Sequence, residues 1–175
     1  MTRSTRLFVF AAVALFALAG GYFARLWLAT DTPQQDPGTV LLATRLNDPT
    51  GAPQPMAQWQ GKVLVVNFWA TWCPPCLKEI PEFIRLQQRY GAKGVQFVGI
   101  AIDGTSQVTG FMAKHSMNYP VLMAEREGLD LARAAGNRLG GLPFTVVIDR
   151  EGKAAHVELG VLDEKSLAPL LDRLL

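Results

Sequence analysis

The stretch Val63-Leu64-Val65-Val66-Asn67-Phe68-Trp69-Ala70-Thr71-Trp72-Cys73-Pro74-Pro75-Cys76 decides how this chain is read. Its first seven residues form a nearly continuous apolar run, the pattern of a central strand covered on both faces. Its end carries the only two cysteines of the 175 residues, three positions apart. Proline loses no hydrogen bond in the first turn of a helix, so Pro74 and Pro75 in that turn place Cys73 at a helix N-terminus. Unpaired backbone N–H groups and the positive end of the helix dipole favour a thiolate there, and the thiolate is the species that attacks disulfides. These residues point to thiol–disulfide exchange.

Other uses of two cysteines fit less well. A structural zinc site needs about four ligands, and only His115 and His156 remain to supply them, so no metal is expected. A structural disulfide is the ordinary fate of two cysteines in an oxidising compartment, but a loop this short stabilises a domain little, since the benefit grows with loop length. A copper-binding chaperone using Cys73, Cys76 and His156 stays open as an alternative.

Working outward, the pattern alternates. A helix is expected from Pro74 to about Tyr90, ended by Gly91 and Gly94, with Pro81 kinking it by removing the bond to the Leu77 carbonyl. Val95 to Ile102 is the next buried strand, which makes a right-handed parallel βαβ unit. Helical stretches near Thr105–Met117 and Glu127–Ala135 flank an extended Tyr119–Met123. Phe144–Asp149 and Ala154–Gly160 form a hairpin, with Gly152 suited to a left-handed position. In the last helix Leu167, Leu170, Leu171, Leu174 and Leu175 share a stripe, with Ser166 as N-cap and Pro169 in the first turn. Turn signals at residues 47–51 and 60–62 mark an N-terminal hairpin or loop. The expected fold class is α/β, a central mixed sheet flanked by helices.

The N-terminus reads as a membrane signal. Arg3 and Arg6 precede an uncharged apolar stretch of 18 residues, Leu7 to Ala24. As a helix it reaches roughly 27 Å, close to the hydrocarbon thickness of a bilayer, and the positive flank keeps the N-terminus in the cytoplasm. Ala17-Leu18-Ala19 also fits a signal-peptidase site, but apolar residues continue beyond it, which favours a retained anchor. The expected partition is an anchor at 1–29, a polar linker at 30–38 and one domain at 39–175. The domain then lies on the extracytoplasmic side of a bacterial cytoplasmic membrane. Formal net charge is +2, from 17 Lys+Arg against 15 Asp+Glu, without a basic run beyond the N-terminus, so nucleic acid is excluded as a partner.

With strand, Trp-Cys-x-x-Cys, helix and a late ββα in place, the chain resembles the thioredoxin superfamily. Val65 to Pro81 more narrowly resembles the membrane-anchored, extracytoplasmic TlpA/ResA-like thiol–disulfide oxidoreductases. The resemblance implies a thioredoxin fold with an inserted helical segment and no cofactor. It implies Cys73 as attacking and Cys76 as resolving cysteine, joined as a redox-active disulfide when oxidised. It also implies that Gly141-Leu142-Pro143-Phe144-Thr145 is the loop whose cis proline faces the dithiol, leaving the Leu142 backbone free to pair with an extended substrate. On local sequence alone Pro143 reads equally as a trans proline starting a strand.

Glu79 follows Cys76 by three residues on one helix face, so it can take the Cys76 proton; on the residues alone the preferred reading is a solvated acid near a helix start. The resemblance favours the first. Asn67 departs from thioredoxins proper, which carry a buried aspartate six residues before the first cysteine; an amide cannot titrate, which moves the proton chemistry to Glu79 or to water. Trp69 and Trp72 are expected as packing residues, Trp72 also as shield of the sulfur or contact for substrate. Phe144 is expected to add apolar bulk beside the substrate groove. Relatives of this type reduce the haem-attachment cysteines of apocytochrome c or supply electrons to other envelope proteins, and a transmembrane thiol donor recharges them. The absence of a histidine between the cysteines favours a reductant over a strong oxidant. A peroxiredoxin-like peroxidase needs proline and threonine seven and three residues before the reactive cysteine, where this chain has Val66 and Ala70.

Overall fold

The computed structural model describes residues 13–23, 25, 35–125 and 127–175, and the chain divides into two compact units, Met1–Gln34 and Gln35–Leu175. In the first unit residues 13–23 are helical (α1) with exposed side chains. No helix among the described residues is long and apolar enough to cross a membrane. The flanking Arg3 and Arg6, the first third of the expected span (7–12) and its last residue, Ala24, lie outside the described residues.

The second unit is built on a seven-stranded mixed sheet in the order β2 (Pro53–Pro55), β1 (Arg45–Asn47), β5 (Val121–Met123), β4 (Val95–Ala101), β3 (Val63–Trp69), β6 (Phe144–Ile148), β7 (Ala154–Leu159). At its centre β3 (Val63–Trp69) is buried along its whole length, as its apolar run requires. It pairs in parallel with β4 (Val95–Ala101), Val63 opposite Val95 through Trp69 opposite Ala101, and antiparallel with β6 (Phe144–Ile148). Next to β4 lies β5, parallel to it, and next to β6 lies the edge strand β7, which closes the expected hairpin with β6 through Gly152 at φ 86°. β1 (Arg45–Asn47) and β2 (Pro53–Pro55) form the expected N-terminal hairpin, which β1 joins to β5 at Asn47.

Alternation along the strands gives the sheet two faces. On one, Leu64, Val66, Phe68, Val98, Ile100, Phe144, Val146 and Ile148 pack with Leu41 of α2 (Pro37–Leu42) and Ala132 of α5 (Glu127–Ala134). On the other lies α3 (Pro74–Tyr90), whose Cys76, Glu79, Ile80, Phe83, Leu86 and Tyr90 fall at helical spacing and are all buried. α4 (Thr105–His115) and α6 (Glu164–Leu174) cover the rest of that face through Val108 and through Leu167, Leu170 and Leu171. Burying a side chain such as Phe83 contributes about 1.5–3 kcal/mol, which is how a helix with an internal proline stays seated.

Several local expectations change. Asp36, expected in the linker, caps α2 by accepting from Gly38 N–H at 2.9 Å and also accepts from Ala154 N–H of β7 at 3.1 Å. Two more concern helix ends: α4 stops at His115 because Ser116 turns left-handed at φ 50°, and α6 starts earlier than expected. The N-cap of α6 is Asp163, accepting from Ser166 N–H at 2.9 Å, so Ser166 lies inside the helix and Pro169 beyond its first turn. Aspartate and serine cap equally well by propensity, and the three-residue reach from Asp163 to Ser166 decides between them. α3 is continuous through Pro81.

Candidate active site

The dithiol sits where β3 hands over to α3. Cys73 is the N-cap of α3, in an extended conformation, with Pro74 and Pro75 in the first turn. Neither proline has an N–H, so the first backbone donor the helix offers is that of Cys76, and it points at Cys73 Sγ from 3.3 Å. A sulfur at that cap meets the positive end of the helix and one N–H, which favours its thiolate when the bond is opened. Cys73 and Cys76 are joined in a disulfide, with Cα atoms 5.3 Å apart. Cys73 is 4 % exposed and Cys76 not at all, so only Cys73 has an edge in reach of solvent.

The Leu142–Pro143 bond is cis. Leu142 packs against the cluster that holds Cys73, Cys76, Trp69 and Ile80, so the loop before β6 and the tip of α3 adjoin. The Pro143 carbonyl accepts from Gly160 N–H at 2.9 Å, and no hydrogen bond to the Leu142 backbone occurs among the described residues. The Gly141 carbonyl accepts from Asn137 Nδ2 at 2.8 Å, so it is Leu142 that presents unpaired main-chain groups next to the cluster holding the sulfurs, the arrangement an extended peptide adds to.

The two tryptophans part company. Trp69 is fully buried and tilts against Phe111 at 5.1 Å, as expected of a packing residue. Trp72 is 62 % exposed, which corrects the expectation that it packs; its indole forms one wall of a cleft of about 380 Å³ shared with Ile102, Asp103, Gly104, Glu125 and Leu129. Between them Thr71 donates from both its N–H and its hydroxyl to Asp103, tying the strand-to-helix turn to the loop after β4. Phe144, expected at the groove, instead points into the opposite face of the sheet and tilts against Phe68 at 5.7 Å. The alternation of β6 decides this: Thr145, not Phe144, shares the α3 face.

Glu79 is fully buried, which removes the reading of a solvated first-turn acid. Its Oε1 accepts from Asn67 Nδ2 at 2.7 Å and its Oε2 from Leu162 N–H at 3.1 Å. Desolvation dominates these two bonds and lifts the carboxyl from its usual range to about 7, with Glu82 pushing in the same direction. Tyr119 is held above its ordinary value by burial first and by the Glu79 charge second. Asn67 also donates to Thr145 Oγ1 at 3.0 Å. Thr145, Leu162 and Tyr119 went unread in the sequence. Thr145 alone left a signal, a single polar residue in an otherwise apolar strand, but its meaning needs the register that sets it opposite Asn67.

His156, the third ligand of the copper reading, lies on β7 with Nε2 3.3 Å from Glu158 Oε2. Among the described residues no three His, Cys, Asp or Glu side chains gather in a group that could hold a metal.

A strand, a capped dithiol and a facing cis-proline loop on a mixed sheet define a thioredoxin-like thiol–disulfide oxidoreductase. The chain belongs to the Redoxin family, whose model matches residues 37–172. It is similar to thiol-disulfide oxidoreductase ResA of Bacillus subtilis (strain 168), 31% identical over 124 residues that make up 70% of this chain and 66% of that protein. ResA of Bacillus thuringiensis (strain Al Hakam) is 29% identical over 160 residues, 91% of this chain and 87% of that one. Among solved structures, a thiol:disulfide interchange protein of the thioredoxin family from Chlorobium tepidum TLS superposes with a TM-score of 0.68 at 31% identity, covering 75% of this chain and 92% of the other.

Proposed function

We propose that this chain is an exported, membrane-tethered reductant of disulfides in envelope proteins, apocytochrome c among them. In this reading residues 1–29 anchor it, residues 30–38 link, and residues 39–175 carry the chemistry. The Cys73 thiolate attacks one sulfur of a substrate disulfide, which forms a mixed disulfide and releases the other sulfur as a thiolate. Glu79, as carboxylate, takes the Cys76 proton. The Cys76 thiolate then attacks Cys73 Sγ, the second substrate sulfur leaves, and the proton passes to a released substrate thiolate or to water. The substrate gains two electrons and the Cys73–Cys76 disulfide remains. A transmembrane thiol donor resets it. Trp72, Leu142 and Pro143 hold the substrate strand across the sulfurs.

The observation that carries this reading is the lone N–H of Cys76 on Cys73 Sγ at the cap of α3. It supports attack by Cys73, and the single donor supports a reductant, because a less stabilised thiolate makes a weaker oxidant. Changing Cys76→Ser leaves a nucleophile with no internal escape, so covalent adducts with partner proteins accumulate in acid-quenched cells; Cys73→Ser gives few. Haem-free cytochrome c precursors among the adducts support the maturation role. Adducts on Cys73→Ser alone would reverse the roles.

A further inference from the structure

Asn67 uses only one end of its amide. Its Nδ2 donates twice, to Glu79 Oε1 at 2.7 Å and to Thr145 Oγ1 at 3.0 Å, while its buried Oδ1 has no partner among the described residues. The two ends of an amide are nearly the same shape, so hydrogen bonds alone decide which way it faces. Glu79 is an acceptor at both oxygens, from Asn67 and from Leu162 N–H, which is the bonding pattern of the ionised acid. Turning the amide round would set Oδ1 against that carboxylate, oxygen to oxygen. Thr145 accepts the second N–H and so holds the donor end in place, and it can do so because register puts it directly opposite Asn67.

Resting on the reading of Glu79 as the base for Cys76, we propose that Asn67 and Thr145 are positioning residues for the resolving step. Thr145 fixes the orientation of the Asn67 amide, and the N–H so presented keeps the buried Glu79 able to ionise near neutral pH. The arrangement answers the chain's departure from an aspartate at position 67: the residue does not titrate but sets how its neighbour does. Other titratable groups stand on the elements around Glu79. Cys76 and Glu82 lie one turn to either side on α3, and Tyr119 comes from the segment before β5. Glu158 of β7, ion-paired with His156, stands across from Thr145, and Asp163 heads α6 next to Leu162. Oxidised protein takes the cysteines out of this set.

The test is the titration of the Glu79 side-chain carboxyl by ¹³C NMR in the oxidised full chain, together with the pH profile of mixed-disulfide resolution. Loss of a hydrogen bond to a charged group raises the Glu79 midpoint by about one to two pH units in Asn67→Leu. Thr145→Val gives a smaller shift in the same direction, and Thr145→Ser, which keeps the hydroxyl, restores the wild-type midpoint. A merely structural role for Thr145 predicts that the serine and valine variants titrate alike, and that result, or an unmoved midpoint in a folded Thr145→Val, overturns the proposal. Should the midpoints shift while the resolution profile stays put, Asn67 and Thr145 position Glu79 but Glu79 is not the base, and their part in the resolving step is overturned.

Discussion

The two faces of the central sheet are built from the same strands and differ in one respect. Under α2 and α5 the inward residues of β3 and β6 are Leu64, Val66, Phe68, Phe144, Val146 and Ile148, apolar throughout. Under α3 the same strands offer Val65, Asn67, Trp69, Thr145 and Val147, and the polar pair sits level with Glu79. An unpaired polar group in such a place costs about 1–3 kcal/mol, and a buried charge more. Along these two strands buried polar side chains occur on one face only, the one that α3 and its dithiol cover. One face is apolar throughout; the other buries a titratable group, Glu79, one helical turn from Cys76.

The comparison can be broken by substitution. Phe68→Ala, on the apolar face, is expected to lower the unfolding free energy by about 3–5 kcal/mol in a denaturant titration, while the pH midpoint of the dithiol reaction stays at its wild-type value. A moved midpoint would mean that the two faces are not independent.

Next in size is the pH dependence of stability. The Glu79 carboxyl titrates at about 7 in the folded chain against 4.5 as its ordinary value. Between those values the folded chain holds more protons than the unfolded one, so the stability present below 4.5 is lost as pH rises through 7. For the oxidised protein the loss from Glu79 is about 3 kcal/mol at most. Chemical denaturation at a series of pH values reads it, and Glu79→Gln, which cannot ionise, is expected to abolish that part of the slope.

Smallest in free energy is the kinetic effect of the same variant. Glu79→Gln is expected to slow resolution of a mixed disulfide about 10²-fold and leave the initial attack by Cys73 within about twofold. Stopped-flow measurement of both steps checks this, and equal slowing would place Glu79 in service of both sulfurs.

Much of the architecture was legible in the sequence, because strands and helices write their periods into it. The apolar run Val63–Trp69, the Pro-Pro helix start and the late hairpin each carry a local signal. Helix ends were less legible: Asp163 and Ser166 are both good caps, and only the backbone path into α6 chooses. Phe144 was misplaced for a related reason, since the strand's phase relative to the core follows from its pairing with β3 and cannot be read from five consecutive residues.

The sequence by itself determined the chemistry. Two cysteines separated by two prolines, after a buried strand, admit few uses, and the helix they begin is encoded within a single turn. Only the tertiary structure decided how that chemistry is tuned. Asn67, Glu79, Thr145 and Leu162 come from four separate segments, the last two 78 and 83 residues from their partners. The proton affinity of a buried acid depends on how completely water is excluded and on which donors reach it, and both are properties of the assembled core.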